Sequence, residues 1–484
     1  MLFTGSISPE QKQALGKSYG YNDAHTPRVM TRNDTPPFTS RAPIVRSSSS
    51  ATSRARRSFA TSSRALAMST PPADAPAPAG ETWHVYVHKL RAWFASSDAL
   101  DAVARPHLIL IARTSDGAFL SHVHGDGERG NVFDGADAPT CDEVLAFIAK
   151  VIANPRVLNS SKANERMNNG EAPREVRMAC GKTARMLIGE REKWETFTGC
   201  AYVEGCREGL KALGVERCAF APVPKEVIEA VIRGQIEPKY APAEQSWGTQ
   251  HLPGLLESVD GFTPEFGRSL FAAAADFVKC EPWNALARLR PVKVQYRLKL
   301  RDDLTMKLTA FVAVGGDLED EDFGFTVHKT LTASQAAFEI KNGNEDVEVS
   351  VEGQTCMWAS APETPFEDLD ASEIYDWPLT PAEGEVSNAL WPLFFKIGLD
   401  DETGDNLEIS RPAIIELQCF ELALKSVAEL IIKGDLQSKD DDVRAAKGPW
   451  TVSTKSFAAK GSEETIEVEI ELPELVPMKP VEYL

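Results

Sequence analysis

Apolar and polar residues alternate without a break from Val292 to Arg301, with Val292, Val294, Tyr296, Leu298 and Leu300 set against Lys293, Gln295, Arg297, Lys299 and Arg301. A period of two predicts a half-buried strand. Asp302-Asp303 offers a turn, and Leu304, Met306, Leu308, Ala310, Val312 and Val314 keep one face apolar on the return until Gly315-Gly316. After the acidic turn Asp317–Asp322, Phe323–Val327 reads as a third strand. The pattern therefore predicts an antiparallel meander.

Upstream, Trp83, Val87, Leu90, Phe94 and Leu100 predict a helix over Trp83–Arg105 that Pro106 stops. His107–Ile111 and Phe119–Val123 predict a hairpin through Asp116-Gly117, followed by a short strand at Asn131–Phe133. Helices and strands then alternate. Thr140 caps a helix over Cys141–Ile152, and a loop at 153–173 leads to strand Glu175–Ala179, helix Lys182–Trp194 and strand Cys200–Val203. Helix Cys206–Leu213, strand Cys218–Ala221 and helix Lys225–Ile232 follow. A β-β-β-α-β-α-β order makes a mixed sheet with helices on its faces, and the ribonuclease H-like architecture is its commonest owner.

Residues 236–262 lose periodicity and read as a linker. Thr263-Pro264-Glu265 starts a helix with Phe266, Leu270, Ala273 and Phe277 on one face, and Pro282 closes it. Beyond the meander, Val347, Val349 and Val351 predict a strand, 354–377 an acidic excursion, and Leu390–Phe395 an apolar anchor. Ser410 and Pro412 start the longest helix, with Leu417, Phe420, Leu424, Val427 and Ile431 on one face and Gly434 at its end. Ile466, Val468, Ile470 and Leu472 alternate with Glu467, Glu469 and Glu471 as a last strand. The predicted class is α/β plus α+β. A mixed-sheet domain of ribonuclease H-like order occupies 81–235, an α+β domain built on the meander occupies 263–475, and 476–484 is a tail.

Composition changes the picture at the start of the chain. Residues 1–80 are poor in large apolar residues and rich in Ser, Thr, Arg, Ala and Pro, which predicts disorder. Their basic, acid-poor bias is that of an organelle transit peptide, and the Ser/Ala/Pro-rich end favours a chloroplast over a mitochondrion. The formal charge of the chain is -19; residues 1–67 hold 10 Lys and Arg against 3 Asp and Glu, which leaves 42 against 68, or -26, in residues 68–484. A body that acidic repels phosphate backbones, so nucleic acid is not the expected partner. The eight cysteines include no Cys-x-x-Cys and no zinc-module spacing, so reduced thiols are expected, with Cys180, Cys218 and Cys280 as small buried hydrophobes. No apolar stretch approaches a membrane span, and a soluble protein is expected.

Two resemblances add to this. Arg105-Pro-His-Leu-Ile-Leu-Ile111, the Asp116-Gly117 turn, Pro-Arg-Glu-Val-Arg177 and the Val203-to-Leu213 helix entry resemble, over residues 105–222, a bacterial family known only as a domain of unknown function. Residues 266–433 resemble a second such family through Phe271-Ala-Ala-Ala-Ala-Asp-Phe277, Pro282-Trp283, Val312-Ala-Val-Gly-Gly316, Trp391-Pro-Leu-Phe394 and the helix over Leu417–Ile431. The acidic insert at Asp317–Asp322 and the lack of a Gly-Pro-Trp after Phe395 depart from that second pattern. The resemblance implies a fold and a pairing of two companion domains, with no assigned activity.

No motif identifies a reaction. His122-Val-His124-Gly-Asp126 looks like the start of a two-metal hydrolase site, but Gly127 stands where another His is needed, so a polar strand edge is expected. A nuclease on the first domain needs carboxylates in the middle of its first strand, and Ile109–Thr114 holds none; Asp116, Asp126, Asp134 and Glu204 are the acids whose convergence would restore that reading. Gly181-Lys182-Thr183 lacks the first glycine of a phosphate loop, and Gly16-Lys-Ser18-Tyr-Gly20 has no strand before it. Asp317, Glu319, Asp320, Glu321 and Asp322 do not fit a calcium loop, because His328 and Asp322 fall where Glu and Gly are required. No catalytic, metal or cofactor residue is assigned. The expected function is a non-catalytic organelle protein that binds another protein or a small-molecule ligand in a cleft between domains, and the rival is a divalent-metal nuclease or other hydrolase derived from a ribonuclease H-like core. Lys293, Arg297, Lys299 and Arg301 form a basic row that Glu467, Glu469 and Glu471 would neutralise if the last strand pairs beside it.

Overall fold

The structure is a computed structural model that describes residues 81–475 apart from 96–102, 116, 123–130, 134–136, 158–170, 181–199, 223–230, 235–236, 238–248, 302–303, 317–322, 343, 345–352, 382–388, 400–406, 437–447 and 458–462. The segment 1–80 expected to be a transit peptide, the expected helix Lys182–Trp194, most of the expected helix Lys225–Ile232, the strand expected at 347–351, the turns expected at Asp302-Asp303 and Asp317–Asp322 and the expected tail 476–484 lie outside these residues. The described residues up to Ser246 and those from Trp247 onward belong to two compact units.

The N-terminal unit is built on β1 (Thr82–Lys89), which is a strand and not the predicted helix. Trp83, Val85 and Val87 are buried on one face and His84, Tyr86 and His88 on the other. A strand covered on both sides shows no alternation, and that is why its period was misleading. It runs antiparallel to β4 (His107–Arg113) and parallel to β8 (Glu175–Cys180). Between β1 and β4, β2 (Phe94–Ala95) and β3 (Val103–Ala104) form a separate ribbon. The seven-stranded sheet has the order β7-β5-β4-β1-β8-β9, with β5 at Phe119–Ser121, β7 at Arg156–Val157, β9 at Arg217–Phe220, and β6 (Val132–Phe133) pairing with β4. The mixed sheet is as predicted, though its first strand lies one element earlier in the chain.

Helix α1 (Cys141–Ala153) starts in a reciprocal cap: the Glu143 N–H donates to Thr140 Oγ1 at 3.3 Å, and the Thr140 N–H donates to Glu143 Oε2 at 2.7 Å. Helix α2 (Ala201–Ala212) absorbs the strand expected at Cys200–Val203. Tyr202, Val203, Cys206 and Leu210 are its buried face, and Gly205 is no break. A side chain at Gly205 would overlap the Cys141 sulfur, and one at Gly209 the Leu145 methyl groups, so both glycines serve close approach to α1.

The C-terminal unit opens with α3 (Leu255–Ser258), α4 (Pro264–Lys279) and α5 (Pro282–Ala285). Thr263 caps α4 by accepting from the Phe266 N–H, as its sequence predicts. The stretch read as a linker is part of the core from Leu252 onward: Leu255, Val259 and Phe262 are buried, without periodicity because turns separate them. Strands β10 (Val292–Arg301), β11 (Leu304–Gly315) and β12 (Gly324–His328) are the predicted meander. Then come α6 (Leu331–Lys341), β13 (Gly353–Ala359), α7 (Phe366–Tyr375), β14 (Thr380–Pro381), β15 (Ala389–Leu399), β16 (Leu407–Ser410), α8 (Ile414–Lys433), β17 (Trp450–Phe457) and β18 (Glu463–Glu471). Residues 354–377 are therefore no excursion. They supply an interior strand and a helix whose acids mask its buried Leu369, Ala371 and Ile374.

Among the described residues, nine strands pair antiparallel in the order β14-β15-β13-β12-β11-β10-β18-β17, with β16 beside β15. Cys356, Trp358 and Phe394 face the large core that also contains Phe271, Phe277, Phe420 and Leu424 of α4 and α8, whereas Ala359, Leu393, Phe395 and Ile397 form a small core on the opposite face. Pro392 sits in β15 opposite Trp358, in the gap between the stretches paired by β14 and β16, where a missing N–H is tolerated.

The last strand does close the sheet against β10, with Lys293 opposite Glu471, Gln295 opposite Glu469 and Tyr296 opposite Val468. Lys293 Nζ donates to Glu471 Oε1, so the first cation of the basic row is neutralised internally. Glu469 faces Gln295, not a cation; Arg297 is exposed and opposite Lys307 of β11, and the side chains of Lys299 and Arg301 lie outside the described residues. Lys293→Glu and Glu471→Lys should each destabilise the protein, and the double swap should recover about 0.2–1 kcal/mol of the loss in thermal unfolding. Strictly additive losses would deny the pair any coupling.

Candidate functional site

Alternation along β1 puts Thr82, His84, Tyr86 and His88 on one face, and pairing with β8 and β9 sets Glu175, Arg177 and Arg217 beside them. This face is opposite to the one that α2 covers, because Cys218, the neighbour of Arg217, donates from Sγ to the Val203 carbonyl of α2. The row is polar yet buried: His84, Tyr86 and Glu175 are at most 2% exposed.

His84 Nδ1 is 2.6 Å from Tyr86 Oη. Burial, helped by the Arg177 charge, pulls His84 down to about 3, and burial raises the Tyr86 hydroxyl against an opposing pull from Arg177. Both groups are neutral at physiological pH. If the phenol donates to Nδ1, the ring proton sits on Nε2, and the Nε2–H is then the one polar group of the pair left without a partner. The opposite arrangement strands both the phenol hydrogen and the Nε2 lone pair.

Glu175 is held by Arg177 through Nε (3.1 Å) and Nη2 (3.3 Å), by Thr82 Oγ1 at 3.5 Å and by Arg217 Nε at 3.7 Å. At the other end of β1, Glu237 Oε1 accepts from the Arg91 N–H at 2.8 Å and lies 3.7 Å from His88 Nε2. Burial pushes the Glu237 carboxyl up, but His88 and Arg91 outweigh it and hold it below its ordinary value.

The C-terminal unit holds a cluster that the sequence did not announce. Glu421 of α8 is fully buried; its Oε1 accepts from Ser269 Oγ of α4 and from Lys425 Nζ at 2.6 Å, and its Oε2 accepts from Ser456 Oγ of β17. Lys425 Nζ also donates to Ser269 Oγ at 2.9 Å and to the Lys455 carbonyl at 2.7 Å. A serine beside a lysine suggests a nucleophile and its base. Three donations, however, need all three hydrogens of an ammonium, which leaves no lone pair to take the serine proton. A second tie joins Arg411 to Asp368 Oδ2, to the Pro253 carbonyl at 2.7 Å and to the Phe394 carbonyl at 2.8 Å, while the Leu255 N–H donates to Asp368 Oδ1 at 2.8 Å. Burial pushes the Asp368 carboxyl up, with Arg411 pulling against it.

Of the residues singled out from sequence, His122 is half-buried, its ring edge-on to Phe147 at 5.2 Å, and burial lowers its pKa. Its expected companions His124 and Asp126 lie outside the described residues, as do Asp116, Asp134, the stretch 181–183, the stretch 16–20 and the acids at 317–322. Glu204 sits in the first turn of α2, exposed and paired with Arg207 at 3.1 Å. Among the described residues, no three His, Cys, Asp or Glu side chains are grouped to hold a metal ion.

A depressed folded-state pKa stabilises the protein above the unfolded value and stops doing so as pH falls through the folded value. Glu237→Gln should therefore cost about 1–2 kcal/mol at pH 7, and the gap to wild type should close below the ordinary carboxylate value of 4.5 in urea titrations. A gap that persists at the acid end would mean that the carboxylate charge is not what Arg91 and His88 hold. No protein-family model, curated protein or solved structure matches this chain.

Proposed function

We propose that the protein is a non-catalytic binding or scaffold protein of a plastid, with another protein or a small molecule as its partner. What carries this reading is the state of its buried ionisable groups. Lys425, Glu421, Glu175 and Asp368 each direct their donors or acceptors at fixed partners of the fold, so none stands ready to accept a substrate proton. The balance of -26 in residues 68–484 supports a partner other than nucleic acid. The basic, acid-poor composition of residues 1–80 supports the targeting part of the proposal. The resemblance to two companion families of unknown function fits a two-domain binder.

One observation favours the rival nuclease. Three antiparallel strands, β5-β4-β1, continue into two parallel ones, β8 and β9, with α1 and α2 preceding them, and this order supports a ribonuclease H-like architecture for the N-terminal unit. Against its chemistry, the first strand is Thr-Trp-His-Val-Tyr-Val-His-Lys89, with no carboxylate to bind a metal ion. The full-length protein incubated with labelled single- and double-stranded RNA and DNA in Mg²⁺ or Mn²⁺ should cleave none of them above a chelator control. Metal-dependent cleavage that keeps constant specific activity through purification would overturn the proposal. A fluorescent protein fused behind residues 1–80 should enter plastids, and a diffuse cytosolic signal would remove the targeting claim.

A further inference from the structure

Three thiols of the N-terminal unit meet where α1, α2 and β9 pack. Cys141 opens α1 and is half-buried, Cys206 on α2 is fully buried, and Cys218 lies on β9. The Cys141 sulfur rests on the backbone of α2, 3.9 Å from the Ala201 carbonyl, in the space that Gly205 leaves open. Cys206 Sγ donates to the Cys141 carbonyl at 3.6 Å, so both thiols lie where the first turn of α1 meets α2. Cys218 Sγ is turned to the Val203 carbonyl at 3.7 Å instead, and no metal-binding group of three forms among the described residues. Two neighbouring thiols without a third ligand do not make a metal site.

We propose that Cys141 and Cys206 form a reversible disulfide, made by thiol–disulfide exchange with a glutathione-type or protein disulfide. Cys141, the half-buried one, reacts first. As a thiolate it bonds to one sulfur of the incoming disulfide and expels the other as a thiolate, which takes up the proton that Cys141 lost. Cys206 then loses its proton, attacks the Cys141 sulfur and expels the second thiol. Two protein thiols are oxidised and one disulfide is reduced to two thiols. Burial, and after it the neighbouring Cys141, holds the Cys206 thiol above its ordinary range. The bond would tie the start of α1 to α2 across a separation of 65 residues.

The test is to incubate the full-length protein with oxidised glutathione, quench in acid, alkylate and map peptides without reduction. Expected are a linked Cys141–Cys206 peptide, loss of two of the eight thiols from maleimide labelling, and a higher melting temperature, all reversed by dithiothreitol. Cys206→Ser should stop at a glutathione adduct on Cys141, and Cys141→Ser should leave Cys206 unmodified. Wild-type protein that stops at the mixed disulfide, or that links Cys206 to Cys218, would overturn the proposal. The wild-type map decides the matter even if a variant fails to fold.

Discussion

A carboxylate taken out of water costs several kcal/mol unless donors surround it, and in this protein three of them sit at the junctions of the fold. Glu421 joins α8 to α4 and β17, Asp368 joins α7 to the start of α3 and, through Arg411, to β15, and Glu175 joins β8 to β1 and β9. Each junction connects segments far apart in the chain. The apolar cores supply the larger share of the driving force, but they accept many arrangements, whereas a buried carboxylate accepts only the one that satisfies it.

The same feature shapes the chemistry. Ser269, Lys425 and Glu421 have the residue types of a nucleophile, a base and an orienting acid, yet the lysine donates three times and the serine already gives its hydrogen to the glutamate. Catalysis needs a group with a free lone pair or a proton to give. His84 comes nearer, being neutral and one hydrogen bond short, but it lies beneath the surface with Tyr86 as its companion. The proposed exchange chemistry lies instead with the thiols, where Cys141 is half-buried and Cys206 fully buried beside it.

Much of the fold was legible where one face of an element meets water. Val292–Arg301 alternates, Thr263-Pro264 caps α4, and Glu467, Glu469 and Glu471 mark the outer face of β18. Elements covered on both sides were not. In β1 the residues Trp83 to His88 are all buried, so the strand carries no alternation, and a helix would set His84 and Tyr86 on different faces when in the strand they share one. Residues 354–377 hid an interior strand and a helix because Asp368 and Asp370 look like solvent-facing acids and are buried. The site was less legible still. Glu421 and Lys425 are four apart on α8, as surface ion pairs are, and the two serines that complete the cluster lie 152 and 35 residues away from Glu421.

The central claim, that buried carboxylates hold the fold and are not available for chemistry, is tested most directly at Glu421. Equilibrium unfolding of the full chain should show Glu421→Gln losing about 3–5 kcal/mol, because Lys425 is left as a cation facing a neutral amide in a buried cluster. Adding Lys425→Met to that variant should return part of the loss by removing the unpaired charge. Unchanged unfolding in Glu421→Gln, or a double variant no better than the single one, would contradict the account.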